Sequence, residues 1–287
     1  MPARLILNAD DFGLTPGINR AIAELHSAGV LTSATLMANG PAFDDAVAVA
    51  RTHPSLGVGC HIVLTDGVPV SDPSRIPTLI GPDGKSFRSS LIAFIRDLLL
   101  GRIHPDDVAR EARAQIHKLQ YVGIPITHID THKHTHLFPS ITRSLLHVAD
   151  AANIRAIRNP FEPHWSAALN HGSSLRRLGL KLLNPLRTRF EDQTEISMNT
   201  ILTADGTLAI SATGQLIPAT LAELLRALPP TGAYELCCHP GYNDADLDRI
   251  ATRLRTHRNL EREALLTEIP RALTQPTPPH LIHYGNL

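Results

Sequence analysis

Three cysteines in 287 residues cannot build a disulfide framework, and two of them, Cys237 and Cys238, are neighbours that very rarely bridge each other. All three are expected to be small core residues. Charge of one sign is missing too: 27 basic residues balance 27 acidic ones. Long-range electrostatics therefore draws in neither nucleic acid nor an anionic membrane, and the partner that fits is a small, neutral, polar substrate. No segment approaches the roughly 20 apolar residues of a membrane span, and the apolar run in MPARLILNADDFG is too short for a signal peptide. The cytoplasm is the expected location. Aromatics are scarce at 4%, which leaves few platforms for a sugar ring; Trp165 and Tyr242 are candidates by position alone.

Histidine, by contrast, is crowded. The stretch HIDTHKHTH, His128 to His136, holds four of the sixteen histidines in nine residues, where roughly 0.5 would fall by chance. An internal position excludes a purification tag and leaves metal chemistry.

Strands and helices alternate along the chain. Leu5 to Ala9, Leu31 to Ala38, Leu56 to Leu64, Ile126 to His132, Ile154 to Arg158, Ala233 to Cys238 and His280 to Tyr284 read as strands. Between them, Thr15-Pro16 supplies a cap and a first-turn proline for a helix whose Ile18, Ala21, Ile22 and Leu25 share a face. Further helices are expected over Ala42 to Thr52, Leu91 to Leu100, Pro105 to Tyr121, after Pro139, Pro218 to Leu228, Asp246 to Thr256 and Glu261 to Leu273. Repeated βα units in a chain of this length imply one domain, residues 1–287, with a parallel sheet, and their number favours a barrel over a doubly wound fold. Residues 161–205 break the rhythm. Their basic stretch, Arg176 to Arg189, reads as a helix with a solvated face or as a lid over a cleft.

Parallel βα folds place their chemistry at the carboxyl ends of strands. Four strands carry it here: the first ends in Asp10-Asp11, the third contains Cys60-His61, the fourth carries His128, Asp130 and His132, and a late one runs into His239-Pro240-Gly241. Side-chain alternation puts His128, Asp130 and His132 on one face, pointing either into the barrel or to solvent, and sends Cys60 opposite His61. Adjacent carboxylates at the end of a buried strand repel each other, and a dication would relieve that repulsion; an Asp-rich turn held by its own backbone is the other reading.

The segments NADDFG, GCHIVLTDG, THIDTHKHTHLFP and ELCCHPG together resemble those of the YdjC-like carbohydrate deacetylases, which include chitooligosaccharide and hopanoid-biosynthesis-associated deacetylases. The resemblance spans nearly the whole chain in order and spacing. It implies a distorted TIM-type (β/α) barrel, related to the polysaccharide deacetylases, that removes acetyl groups from N-acetylated sugars with one divalent metal ion (zinc, magnesium, manganese or cobalt). Carried over, Asp11, His61 and His132 would be the metal ligands, Asp10 the general base and His239 the acid. His128, Asp130, His134 and His136 would support the ligands or touch substrate. By position alone, Arg155 and Arg158, at the end of the strand after the histidine cluster, read either as groups that contact substrate or support the site or as surface salt bridges. A homodimer is implied by the resemblance as well. Two other readings fit clustered His and Asp on barrel strands: another metal-dependent amidohydrolase or phosphoesterase, and a metal- or sugar-binding module without turnover.

Overall fold

The computed structural model describes residues 2–169, 183, 185–196 and 201–287. Among these residues, seven parallel strands curl into a distorted TIM-like barrel: β1 (Arg4–Phe12), β2 (Ser33–Leu36), β3 (Gly57–Ile62), β4 (Ile126–Thr131), β5 (Gly206–Leu208), β6 (Ala233–Cys238) and β7 (His280–Ile282). They run in the order β4-β3-β2-β1-β6-β5, and β7 pairs with the first half of β1 while β2 pairs with its second half. Between β4 and β5 the wall is thin. Single bridges join Ile129 to Ile157 and Ala156 to Leu202, and Thr207 N–H donates to the Phe161 carbonyl. The strand expected over Ile154 to Arg158 is thus reduced to Ala156 and Ile157, and β5 is a short strand that its three residues, Gly-Thr-Leu, do not announce.

Alternation along the strands separates two interiors. On β1, Leu5, Leu7 and Ala9 face the surrounding helices, whereas Ile6 joins Ala156, Ile282 and Tyr284 in a small apolar plug inside the barrel. Above that plug the inward positions turn polar, with Asn8 and Asp10 on β1, Thr35 on β2, His61 on β3, His128 and Asp130 on β4, and Glu235 and Cys237 on β6, all buried. Their neighbours Cys60, Ile129, Leu236 and Cys238 belong to the outer core. The face carrying His128 and Asp130 is therefore the inward one, and Cys60 does lie opposite His61. Gly59 completes the lining: a Cβ there would sit 2.4 Å from His128 Cε1, so only glycine admits that ring.

Helices pack where the sequence places them. Thr15 caps Pro16–Ser27 by accepting from Ile18 N–H at 3.2 Å, and Pro105–Tyr121 follows the expected bounds. The latter buries Glu111 and Gln115, which hold the loop after β3 by its backbone: Glu111 accepts from Val70 and Ser71 N–H, and Gln115 pairs with both backbone groups of Val63. One expectation fails. The helix expected over Asp246 to Thr256 is only Ala245–Asp248, because the Arg255 guanidinium, rather than a continuing helix, donates to the carbonyls of Leu247, Asp248 and Ile250. The final helix then starts early, at Thr256, and runs to Leu273.

Within the blurred region, His164–Leu169 and Pro185–Ile196 are helical, and Phe190 packs edge-on against His136 and Phe161, with ring centroids 6.5 and 5.9 Å away. Most of the basic stretch expected to form a solvated helix or lid lies outside the described residues. Among those described, no helix is long and apolar enough to cross a membrane.

Candidate metal centre

Asp10 and Asp11 are adjacent, so a regular strand would point them to opposite faces. The β1–β2 register shifts between Ala9 and Phe12, and Asp11 takes a left-handed backbone (φ 63°). The irregularity re-aims the chain so that both carboxylates reach the barrel mouth, at a strain of order 1–3 kcal/mol that such sites tolerate.

Asp11 Oδ1 lies 3.7 Å from His61 Nε2 and 3.4 Å from His132 Nδ1, and the two ring nitrogens are 3.4 Å apart. These are the separations expected of three atoms bound to one ion, since ligands about 2.0–2.1 Å from a tetrahedral centre stand about 3.3–3.4 Å from each other. Asp11 Oδ1 is also buried without any hydrogen-bond partner, a cost that a cation would remove. Groups that could orient such ligands stand behind these three side chains. His61 Nδ1 is 2.8 Å from Asp130 Oδ1, the carboxylate–histidine pairing that orients metal-binding imidazoles, and Arg258 Nη2 donates to Asp11 Oδ2 at 2.5 Å, leaving Oδ1 to face the histidines. His132 stands at the end of β4, where the chain leaves the strand for the short helical turn His132–Leu137.

Arg158 is the hub beneath. Its guanidinium, fully buried, donates from Nη1 and Nη2 to both oxygens of Asp10 at 2.8 and 2.6 Å, and from Nε and Nη2 to Glu235 Oε1 at 2.9 and 2.6 Å. Asp130 Oδ2 lies 2.6 Å from Nη1, and Tyr284 O–H donates to Glu235 Oε2. Five buried carboxyl groups (Asp10, Asp11, Asp130, Glu235 and Glu261) meet two buried guanidiniums, those of Arg158 and Arg258, so the centre is short of positive charge. The titration of His61 records this excess of carboxylate, whereas that of Asp10 records the cations closest to it. Burial works against ionised Asp10, yet the charges of Arg158 and His61 hold it well below the usual carboxylate range. Burial alone would likewise depress His61, but Asp130, Asp10 and Asp11 push it up to about 9.

Of the residues singled out in the sequence, Asp11, His61 and His132 come together, with Asp10 and Asp130 beside them. His239 joins at the rim, its Nε2 3.8 Å from Asp10 Oδ2 and its Nδ1 3.9 Å from Glu261 Oε2. His134, with left-handed backbone, has a buried Nδ1 without a partner, and burial together with the Arg158 charge pushes it down to about 3. His136 stands behind the centre, its Nδ1 2.6 Å from Thr131 Oγ1 and its Nε2 3.2 Å from the Arg158 carbonyl, where it fixes the hub's backbone. His128 lies deeper, stacked on Tyr284 at 3.8 Å. Arg155 is exposed, Trp165 packs edge-on against Tyr234, and the Tyr242 ring has the guanidiniums of Arg20 and Arg262 over it. Sequence reasoning missed Glu235, Arg258, Glu261 and Tyr284. Glu235 had a signal, being two residues before Cys237 on the same inward face of β6.

Buried neutral histidines set an acid limit on stability. Burial, aided by Arg158, holds His128 well below its ordinary value, and burial with nearby His134 does the same for His136. Their contribution is complete above about pH 6.5, where the unfolded rings are also neutral, and falls by about 1.4 kcal/mol per pH unit for each ring below it. His61 acts in the opposite sense: its folded value is raised, so its contribution is complete below about pH 6.5 and is lost as pH rises towards 9. Urea midpoints of cation-free protein are expected to peak near pH 6.5. A midpoint that does not fall between pH 6.5 and 5.5 would contradict the assignment of His128 and His136 as buried neutral rings.

A sequence model of the YdjC-like family matches residues 4–275, and the chain belongs to that family. It is 42% identical over 158 residues to a protein of Brevibacillus brevis named carbohydrate deacetylase (55% of this chain, 60% of the relative), and 43% identical over 141 residues to one of the same name from Geobacillus stearothermophilus (49% and 54%). In these two alignments the chain spans little more than half the relative's length. A third, from Thermoanaerobacter pseudethanolicus and again named carbohydrate deacetylase, is 28% identical over 261 residues, 91% of this chain and 90% of the relative. Among solved structures, an Enterococcus faecalis protein named for cellobiose-phosphate cleavage superposes with a TM-score of 0.80 at 24% identity, over 100% of this chain and 99% of that one, which shows the shared fold.

Proposed function

We propose that this chain is a metal-dependent carbohydrate N-deacetylase, and that Asp11, His61 and His132 hold its divalent ion. The observation that carries the reading is the buried, unpartnered Asp11 Oδ1 facing two imidazole nitrogens at 3.4 and 3.7 Å, beside a second carboxylate that stays ionised. The names of the relatives supply the substrate class. Three protein ligands of oxygen and nitrogen suit zinc, manganese or cobalt, and an ion held there would polarise a carbonyl and lower the pKa of water.

The chain's own groups do the rest. Asp10, fixed by both arms of Arg158, accepts the proton of the attacking water, and its orientation is set before substrate arrives because Asn8, Thr35 and Cys237 also donate to it. His239 donates a proton to the departing amine nitrogen; its backbone is anchored by Glu261, which accepts from His239 N–H at 2.6 Å. Arg158 positions Asp10 and does not contact substrate, since three carboxylates already occupy it.

Incubation with a panel of N-acetylated mono- and oligosaccharides is expected to yield acetate and free amine in equal amounts. Acetate without amine, or turnover of phosphate esters alone, would point to a different hydrolase.

A further inference from the structure

Among the described residues, two groups of three metal-ligating side chains share no member, one headed by Asp11 and one by Asp10; a third, Asp10 with His61 and Asp130, overlaps both. The first is the one described above. In the second, Cys237 Sγ lies 3.4 Å and His239 Nε2 3.8 Å from the same oxygen, Asp10 Oδ2, and all three donor atoms fall within 4.8 Å of one another. Ligands of one tetrahedral zinc, with sulfur at about 2.3 Å and oxygen or nitrogen at about 2.0 Å, stand about 3.3–3.5 Å apart. The resemblance extends to the supporting carboxylate. Glu261 Oε2 lies 3.9 Å from His239 Nδ1, on the side where Asp130 stands 2.8 Å from His61 Nδ1, and the His239 Nδ1 is buried without a hydrogen-bond partner.

We propose that Asp10, Cys237 and His239 form a second cation site, selective for thiophilic divalent ions such as zinc and cadmium over magnesium and manganese. The ion takes the place of the thiol proton that Cys237 shares with Asp10. The S–H bond breaks, a metal–sulfur bond forms, one proton leaves to solvent, and no electron is transferred. Asp10 Oδ2 keeps two partners throughout, Arg158 and then the ion in place of the thiol. Sulfur confers the selectivity, because hard ions prefer oxygen ligands. If the proposed deacetylase chemistry holds, an ion here occupies both the base and the acid, so excess zinc or cadmium inhibits while excess manganese does not.

The test is equilibrium dialysis of the metal-stripped full chain against cadmium or manganese, with cobalt titrations read in the near-ultraviolet for a thiolate-to-metal band. Wild type is expected to bind two cadmium ions but one manganese, and its second cobalt equivalent alone should bring the thiolate band. Cys237→Ser should bind one cadmium and lose the band. Should that variant not fold, His239→Gln should weaken the second cadmium at least tenfold. A single cadmium in wild type without a thiolate band would overturn the second site, as would a band that survives Cys237→Ser. A single cadmium with the band would leave this site standing and remove the first.

Discussion

Asp10→Asn is expected to lower kcat/KM for an N-acetylated sugar by about 10²–10⁴-fold, the usual contribution of a positioned proton acceptor, while the ion at Asp11, His61 and His132 stays bound. The structure sharpens the expectation. Asp10 takes both nitrogens of a buried guanidinium, and an amide in its place keeps one acceptor and turns a donor towards Arg158. Some stability is therefore lost along with activity, and the two are separated by measuring turnover on protein whose folding midpoint and metal content have been determined. Turnover within a few-fold of wild type would remove Asp10 from the proton-transfer role.

The largest stability effect should come from Arg158→Met. Three carboxyl groups, Asp10, Asp130 and Glu235, then remain in a dry interior without their shared cation. Breaking a buried ion pair by removing one partner costs about 3–5 kcal/mol, and this hub serves three. Lysine should rescue poorly, since a point charge cannot reproduce a planar fork that donates to Asp10 and Glu235 at once. Glu235→Gln in the Arg158→Met background should recover part of the loss, because burial already pushes the Glu235 carboxyl up towards its neutral form. A loss under about 1 kcal/mol for Arg158→Met would show that the hub does not hold the centre together.

These side chains also show what the sequence discloses. Alternation was enough to pair His128 with Asp130, oppose Cys60 to His61 and bound β6, because β-strand geometry is local and period two. Which face lines the barrel stayed open, because alternation sorts residues onto two faces without saying which is inward. Left-handed Asp11 could not be read either: two adjacent Asp residues look alike until a bulge sends both to one pocket. Arg158 read as a substrate contact, a support for the site or a surface salt bridge, and the fold encloses it among three carboxylates; a charged residue on a strand does not reveal how many partners the fold will gather. Arg258 and Glu261 escaped notice because the last helix begins at Thr256 without a side-chain cap, so no local signal marked the turn that carries them to Asp11 and His239. The proposed ligands Asp11, His61 and His132 sit in three separate short motifs, and Asp130 shares the histidine-dense one, whereas Arg258 and Glu261 reach the centre only through tertiary packing.

The most direct test of the proposed function is acetate release by metal-stripped protein as zinc, manganese or cobalt is returned in known amounts. Stripping is expected to abolish release, activity to return in proportion to the ion up to one equivalent per chain, and His132→Ala to lower both the bound ion and the activity. Undiminished release from stripped protein, or a His132→Ala variant with full metal occupancy, would rule out a catalytic ion at Asp11, His61 and His132.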